Sequence, residues 1–341
     1  MRLRSSLSML GALCLGLLSA GCGEGMEPVE PALEVPAEDL ATQEAAAVST
    51  SGVTSHFRQW LSANGYDSYN LVRADITGGS YGGKASSTDT VVNQPVIFIH
   101  GNSDKAIGTG TAGQSGWNAS IEYFQSQGYK TSELYATTWG PADVSMSAYQ
   151  YHSKTYVMKV RKLIEAVKAY TGAAKVDIIA HSMGVTLARK AILGGYATDS
   201  LEGGQYYIGP PLTSSVDTFV GIAGANRGLT SCYQTAGSTP TCGATNGLYP
   251  GYWNGLGVSG LSSYLANLGS SSKYEGAYRY SIFSTADEVI GYGVVVYYEY
   301  TSRIPGQTGE KVYSGYPYGH FNSKDLTASV QHSMVKSHVV P

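Results

Sequence analysis

The chain has 341 residues, 43% of them hydrophobic and 14% charged, with 22 Lys and Arg against 25 Asp and Glu. That length suffices for one large domain with a substantial core. A formal net charge of −3, with no clustered basic face, argues against a nucleic-acid partner.

Arg2 and Arg4 precede an uncharged apolar run from Leu7 to Ala20. A basic start, a short apolar core and small residues at its end mark 1–21 as an export signal, too short to span a bilayer. Two processing sites compete. Cleavage after Ala20 releases a soluble protein. Cys22 after Ser19-Ala20-Gly21 instead resembles a lipoprotein box, and its lipidation would tether the chain at the outer cell surface. Residues 22–50 are expected to be an acidic tether: Gly23 to Thr50 holds seven acidic residues, three prolines and no basic ones, too little apolar surface to offset ordering. Removing those acids with Arg2 and Arg4 leaves 20 basic against 18 acidic residues from position 51 onward. Residues 51–341 are therefore a nearly neutral folded domain.

Within it the chain alternates. "PVIFIH" (Pro95 to His100) suits a buried strand, and "GWNASIEYFQSQG" sets Trp117, Ile121 and Phe124 at helical spacing. "SELYATTW" suits a second strand. From Tyr151 to Tyr170, Val157, Val160, Ile164 and Val167 form the apolar stripe of a long helix. "VDIIA" follows, then an amphipathic helix after Ser182, then "VDTFVGIAG". This rhythm predicts an α/β domain with a mainly parallel sheet and helices on both faces.

One stretch breaks the rhythm. Gly228 to Ser272 contains no Asp, Glu, Lys or Arg. It forms most of a Gly/Ser/Tyr-rich insertion at about 228–278. Its two cysteines, Cys232 and Cys242, are expected to pair in an exported chain. Leu261, Tyr264, Leu265 and Leu268 share one helical face. That face fits either a loop packed on its own disulfide or a cap whose uncharged side meets an apolar substrate.

Ser182 stands where a strand runs straight into a helix through Ala180-His181-Ser182-Met183-Gly184. Such a small-x-Ser-x-Gly turn lifts the hydroxyl above the strand end, with small flanking residues avoiding a clash. The nucleophile reading needs a base and an acid, in the chain order Ser, acid, His. His320, in the turn "YPYGHFNSKDL" after the strand "EKVYSG", fits the base; His332 and His338 fall in or beyond a C-terminal helix. Asp287, at the end of the strand in "YSIFSTADEVIG", fits the acid, with adjacent Glu288 as its rival. Asp217 sits at the wrong end of its strand and Asp199 in a polar loop. Backbone N–H groups of Met183 and of Asn102, after His100-Gly101, are the expected oxyanion donors.

"PVIFIHGNSD", "YFQSQGYKTSELYA", "KVDIIAHSMG", "GANRG", "SIFSTADEVI" and "GHFN", in that order from about Pro95 to Lys336, together resemble the class 2 secreted bacterial lipases. These are α/β-hydrolases with an A-x-S-x-G elbow. The resemblance implies the α/β-hydrolase fold, Ser182, Asp287 and His320 as catalytic residues, Asn102 and Met183 as oxyanion donors, and ester hydrolysis through an acyl-enzyme. No metal or other cofactor is implied. The insertion and the thirteen tyrosines from Tyr206 to Tyr300 are closer to the related extracellular polyhydroxybutyrate depolymerases. The substrate partner is therefore expected to be a lipid, or alternatively an aliphatic polyester, acted on by a monomer. An exported binding module without turnover is the reading of another class.

Overall fold

The computed structural model describes residues 48–341 apart from 236. The export signal, nearly all of the tether and Cys22 lie outside the described residues.

Seven strands make the central sheet: β1 (Ser80–Tyr81), β2 (Val96–Ile99), β3 (Leu134–Thr137), β4 (Val176–His181), β5 (Val216–Ile222), β6 (Tyr278–Ser284) and β7 (Gly309–Tyr313). Their order is β1-β3-β2-β4-β5-β6-β7. Every neighbouring pair is parallel except β1 with β3. All four side chains of β2 and all six of β4 are buried, as strands covered on both faces require.

Alternation along those strands feeds two cores. Ile97, Ile99, Ile178 and Ala180 join one cluster, which receives side chains from α1 (Ser55–Ala63), α3 (Lys154–Thr171) and α4 (Met183–Leu193). Val96, Phe98 and Ile179 face the other, filled by α2 (Asn118–Ser126) and α6 (Ala328–Ser337) through Ile121, Phe124, Val330 and Met334. Helix α3 starts where the Ser153 hydroxyl accepts the Tyr156 N–H at 3.2 Å. It ends at Gly172, which takes φ 72°, a left-handed stop that glycine allows cheaply.

Helix α4 departs from the amphipathic expectation. Ten of its eleven residues are buried, because α3 flanks it on one side and the insertion's helix α5 (Ser263–Gly269) on another. Its two cations are satisfied inside. Arg189 pairs with Glu275 at 2.8 Å and donates to Asn226 Oδ1 at 2.9 Å. Lys190 donates to Gly194 O, Tyr196 O and Asn267 Oδ1 at 2.7–3.0 Å.

The insertion contains the Cys232–Cys242 disulfide, with its Cα atoms 5.2 Å apart. Closing so short a loop contributes about 2–3 kcal/mol in the chain-entropy account. The proposed cap face has another use. Tyr264, Leu265 and Leu268 are buried in the same core as α3 and α4, and half-buried Leu261 packs against it. The Tyr264 ring stacks on His152 at 4.0 Å, and its hydroxyl donates to Thr186 O at 3.2 Å. Tyr264, Leu265 and Leu268 thus help cover α4 and serve as packing rather than as an open cap face. Leu265→Ser is accordingly expected to cost about 2–5 kcal/mol by the cost of truncating a buried leucine. Denaturant unfolding measures that loss. Turnover of folded enzyme on short and long esters should fall by the same factor or not at all.

Candidate active site

Strand β4 ends at His181, and the next residue turns the chain. Ser182 takes φ 54° and ψ −128°, a left-handed conformation that costs a non-glycine residue about 1–3 kcal/mol. Its N–H is held by Ile222 O at 2.8 Å. The turn is possible only because its neighbours are small: a Cβ on Gly184 would stand 2.2 Å from His100 O. Helix α4 begins at Met183, so the positive end of its dipole lies beside the hydroxyl.

Three loops converge on that hydroxyl. Ser182 Oγ lies 3.0 Å from His320 Nε2, and His320 Nδ1 lies 2.7 Å from Asp287 Oδ2. His320 and Asp287 are both buried. Asp287 follows β6, and its second oxygen accepts the N–H groups of Val289 and Ile290 at 2.9 and 2.7 Å. Both lone-pair regions of the carboxylate are thus occupied, which fixes its orientation. Since Asp287 accepts a hydrogen bond from Nδ1–H, Nε2 is left to accept from the serine.

The rivals lie elsewhere. Glu288 turns away from the imidazole and accepts the His320 backbone N–H at 2.9 Å. His332 packs on Tyr123, Phe124 and Tyr129. His338 lies 3.1 Å from Asp217, which also pairs with Lys175. Asp199 accepts the Lys154 N–H at the start of α3, at 2.7 Å.

The loop after β2 packs directly on the serine. A Cβ on Gly101 would stand 2.9 Å from both Ser182 Cβ and His181 Nδ1, so only glycine lets the loop pass this closely. Asn102 follows, anchored through its side-chain amide to Ser147 O at 2.8 Å. Among the described residues, neither the Asn102 nor the Met183 N–H is spent on a hydrogen bond. His100 sets this loop. Its Nδ1–H donates to Gly101 O at 2.7 Å, and its Nε2 accepts the Trp139 N–H at 3.0 Å. The two rings stack at 5.0 Å. Burial pushes His100 down to about 4, keeping it neutral in that role.

Two neighbours had no signal in the sequence. His181 is buried beneath the site, and its Nε2–H donates to His320 O at 3.1 Å. Burial, with the nearby His320 and Lys324, holds its pKa well below the ordinary histidine range. Lys324 is buried too. It donates to Asp104 Oδ2 at 3.1 Å and Ser115 Oγ at 2.9 Å. This lysine joins the segment after His320 to the loop after β2.

A sequence profile of the class 2 lipases matches residues 93–333. The chain belongs to the class 2 lipase family. Its parallel sheet, with helices on both faces and a serine elbow after β4, is the α/β-hydrolase fold. The class 2 lipases are carboxylic ester hydrolases, and this chain takes that activity from its family.

Solved structures similar to this class 2 lipase include lipase B of Aspergillus fumigatus, at 14% identity and TM-score 0.49 over 80% of this chain. The match spans 59% of the length of that lipase. Lipase BlEst2 of Bacillus licheniformis in mature form is 13% identical, with TM-score 0.46, over 75% of this chain and 97% of its own. Carboxylesterase CesB of Bacillus subtilis is 11% identical, with TM-score 0.38, over 76% of this chain and 87% of its own. Among curated protein sequences nothing matches this one.

Proposed function

We propose that this class 2 lipase is an exported, monomeric serine esterase that hydrolyses water-insoluble esters of apolar acids, neutral lipids first. The observation that carries the chemistry is the hydrogen-bonded chain Ser182 Oγ, His320, Asp287, at 3.0 and 2.7 Å. In this reading Ser182 Oγ attacks the ester carbonyl carbon while His320 Nε2 takes its proton. Asp287 holds the tautomer and stabilises the imidazolium. The oxyanion accepts the N–H groups of Met183 and Asn102. Collapse expels the alcohol, which takes the proton back from His320, and water repeats the sequence on the acyl-enzyme. Labelling by a fluorophosphonate tests the serine, and its absence would favour a binding module instead.

Export is supported by the disulfide, which oxidising compartments preserve. Lipidation of Cys22 would add a membrane tether.

The insoluble substrate is supported by exposed apolar side chains on three segments of the domain. Tyr149 follows the carbonyl that holds Asn102. Tyr292 lies just past the peptides that bind Asp287, and Leu256 tips a hairpin whose Trp253 packs edge-on against Tyr298 at 5.4 Å. Leu256 is 97% exposed, free to meet an apolar surface. Trp253→Ala combined with Leu256→Ser is expected to slow hydrolysis of a tributyrin emulsion about tenfold, from apolar contact worth roughly 25 cal/mol per Å². A soluble nitrophenyl ester should be turned over within about twofold of wild type. Equal losses on both would remove the interfacial role.

A second reading, a polyester depolymerase, is favoured by exposed tyrosines. Tyr252, Tyr292, Tyr298 and Tyr316 are all exposed. Each offers an apolar ring and a hydroxyl that can donate to an ester carbonyl. Clearing of amorphous polyhydroxybutyrate against clearing of tributyrin separates the two.

A further inference from the structure

We propose that Glu288 and His181 are positioning residues that clamp the His320 peptide, and so aim the imidazole at Ser182. The proposal rests on His320 acting as the base. His320 lies in a loop that includes Gly315 and Gly319, between β7 and the one-turn helix Asn322–Asp325. No regular element holds its backbone. Asp287 grips only the end of the ring, and a ring held at one end on a free peptide can swing.

The peptide groups are held from both sides. On the solvent side the exposed Glu288 carboxylate accepts the His320 N–H at 2.9 Å. On the core side the His181 Nε2–H donates to the His320 carbonyl at 3.1 Å. Just upstream, Ser284 Oγ–H donates to Tyr318 O at 2.8 Å. Residue 319 is fitted to the same end. A Cβ on Gly319 would stand 2.3 Å from Glu288 Oε2, so the carboxylate reaches the peptide only across a glycine. Asp287 and Glu288 therefore divide the work on one histidine, the first on its ring and the second on its backbone. A bond from an ionised acceptor is among the stronger ones available to a peptide N–H. Misplacing a catalytic group by about 1 Å can cost on the order of a hundredfold in rate.

The solvent side can be tested without disturbing the core. On a soluble nitrophenyl ester, Glu288→Ala in the mature chain is expected to lower kcat about tenfold, with KM within about twofold. Glu288→Gln should recover to within about threefold of wild type, because its carboxamide oxygen accepts the same N–H. Gly319→Ala should match Glu288→Ala by pushing the carboxylate aside. The double variant should be no worse than either single one, and melting temperatures should be unchanged. Three results would overturn the clamp: Glu288→Ala within about twofold of wild type, Glu288→Gln as impaired as Glu288→Ala, or losses that multiply in the double variant. His320→Ala is run beside them. An active His320→Ala removes the base and the clamp together, whereas an inactive one beside an unaffected Glu288→Ala removes the clamp alone.

Discussion

Ser182→Ala is expected to abolish ester hydrolysis, with kcat falling on the order of 10⁴- to 10⁶-fold, the scale on which serine hydrolases lose rate without their nucleophile. The fold should survive. Alanine meets the φ of 54° with the same Cβ that serine has, and the N–H held by Ile222 O is untouched. His320 Nε2 loses one partner at 3.0 Å and can take water from the open side instead. Rates on tributyrin and on a soluble ester, measured beside the melting temperature, decide the matter. Residual activity within about tenfold of wild type would show that another group attacks the carbonyl.

His320→Ala and Asp287→Asn carry the next largest effects, each expected to cost on the order of 10⁴-fold in kcat. The two fail for different reasons. Alanine removes the proton acceptor outright. Asparagine keeps the shape of Asp287 but lacks its charge. Its carboxamide can present N–H to Nδ1, favouring the tautomer with the proton on Nε2, where the serine needs a lone pair. His332→Ala should leave kcat within about twofold, since that ring only packs among Tyr123, Phe124 and Tyr129. A loss at Glu288→Gln larger than at Asp287→Asn would reverse the roles of the two acids.

The parts legible in the sequence were those with a period or a fixed chain order. Val96 to Ile99 and Val176 to His181 read as buried strands because nothing polar interrupts the first and only Asp177 the second before His181. Ser182 stood out because a strand and a helix met at it with no loop between. His320 followed from order and from its place in a turn.

The stripe Leu261, Tyr264, Leu265, Leu268 left packing and cap both open, because periodicity reports which face is apolar and says nothing of what covers it. A helix closing a core and one closing a pocket carry the same pattern. Helix α4 was expected to be amphipathic, but Arg189 and Lys190 are both spent inside, on Glu275, Asn226, Asn267 and backbone carbonyls. The roles of His181 and Glu288 were out of reach for a third reason. Each acts through one hydrogen bond to a loop 139 or 32 positions away, and no local pattern encodes such a pairing.

The buried pair Lys324–Asp104 has a consequence for how the enzyme comes into being. Its partners are 220 positions apart, and Ser182 and His320 are 138 apart. Contacts of such separation carry a large loop-closure cost and are expected to close late. Until Lys324 arrives, Asp104 is a carboxylate without its cation in a site being stripped of water, so the loop bearing Asn102 has reason to stay open and hydrated. A refolding chain would thus regain its helices and most of its sheet before it can turn over an ester. Recovery of activity would time the docking of its last twenty or so residues.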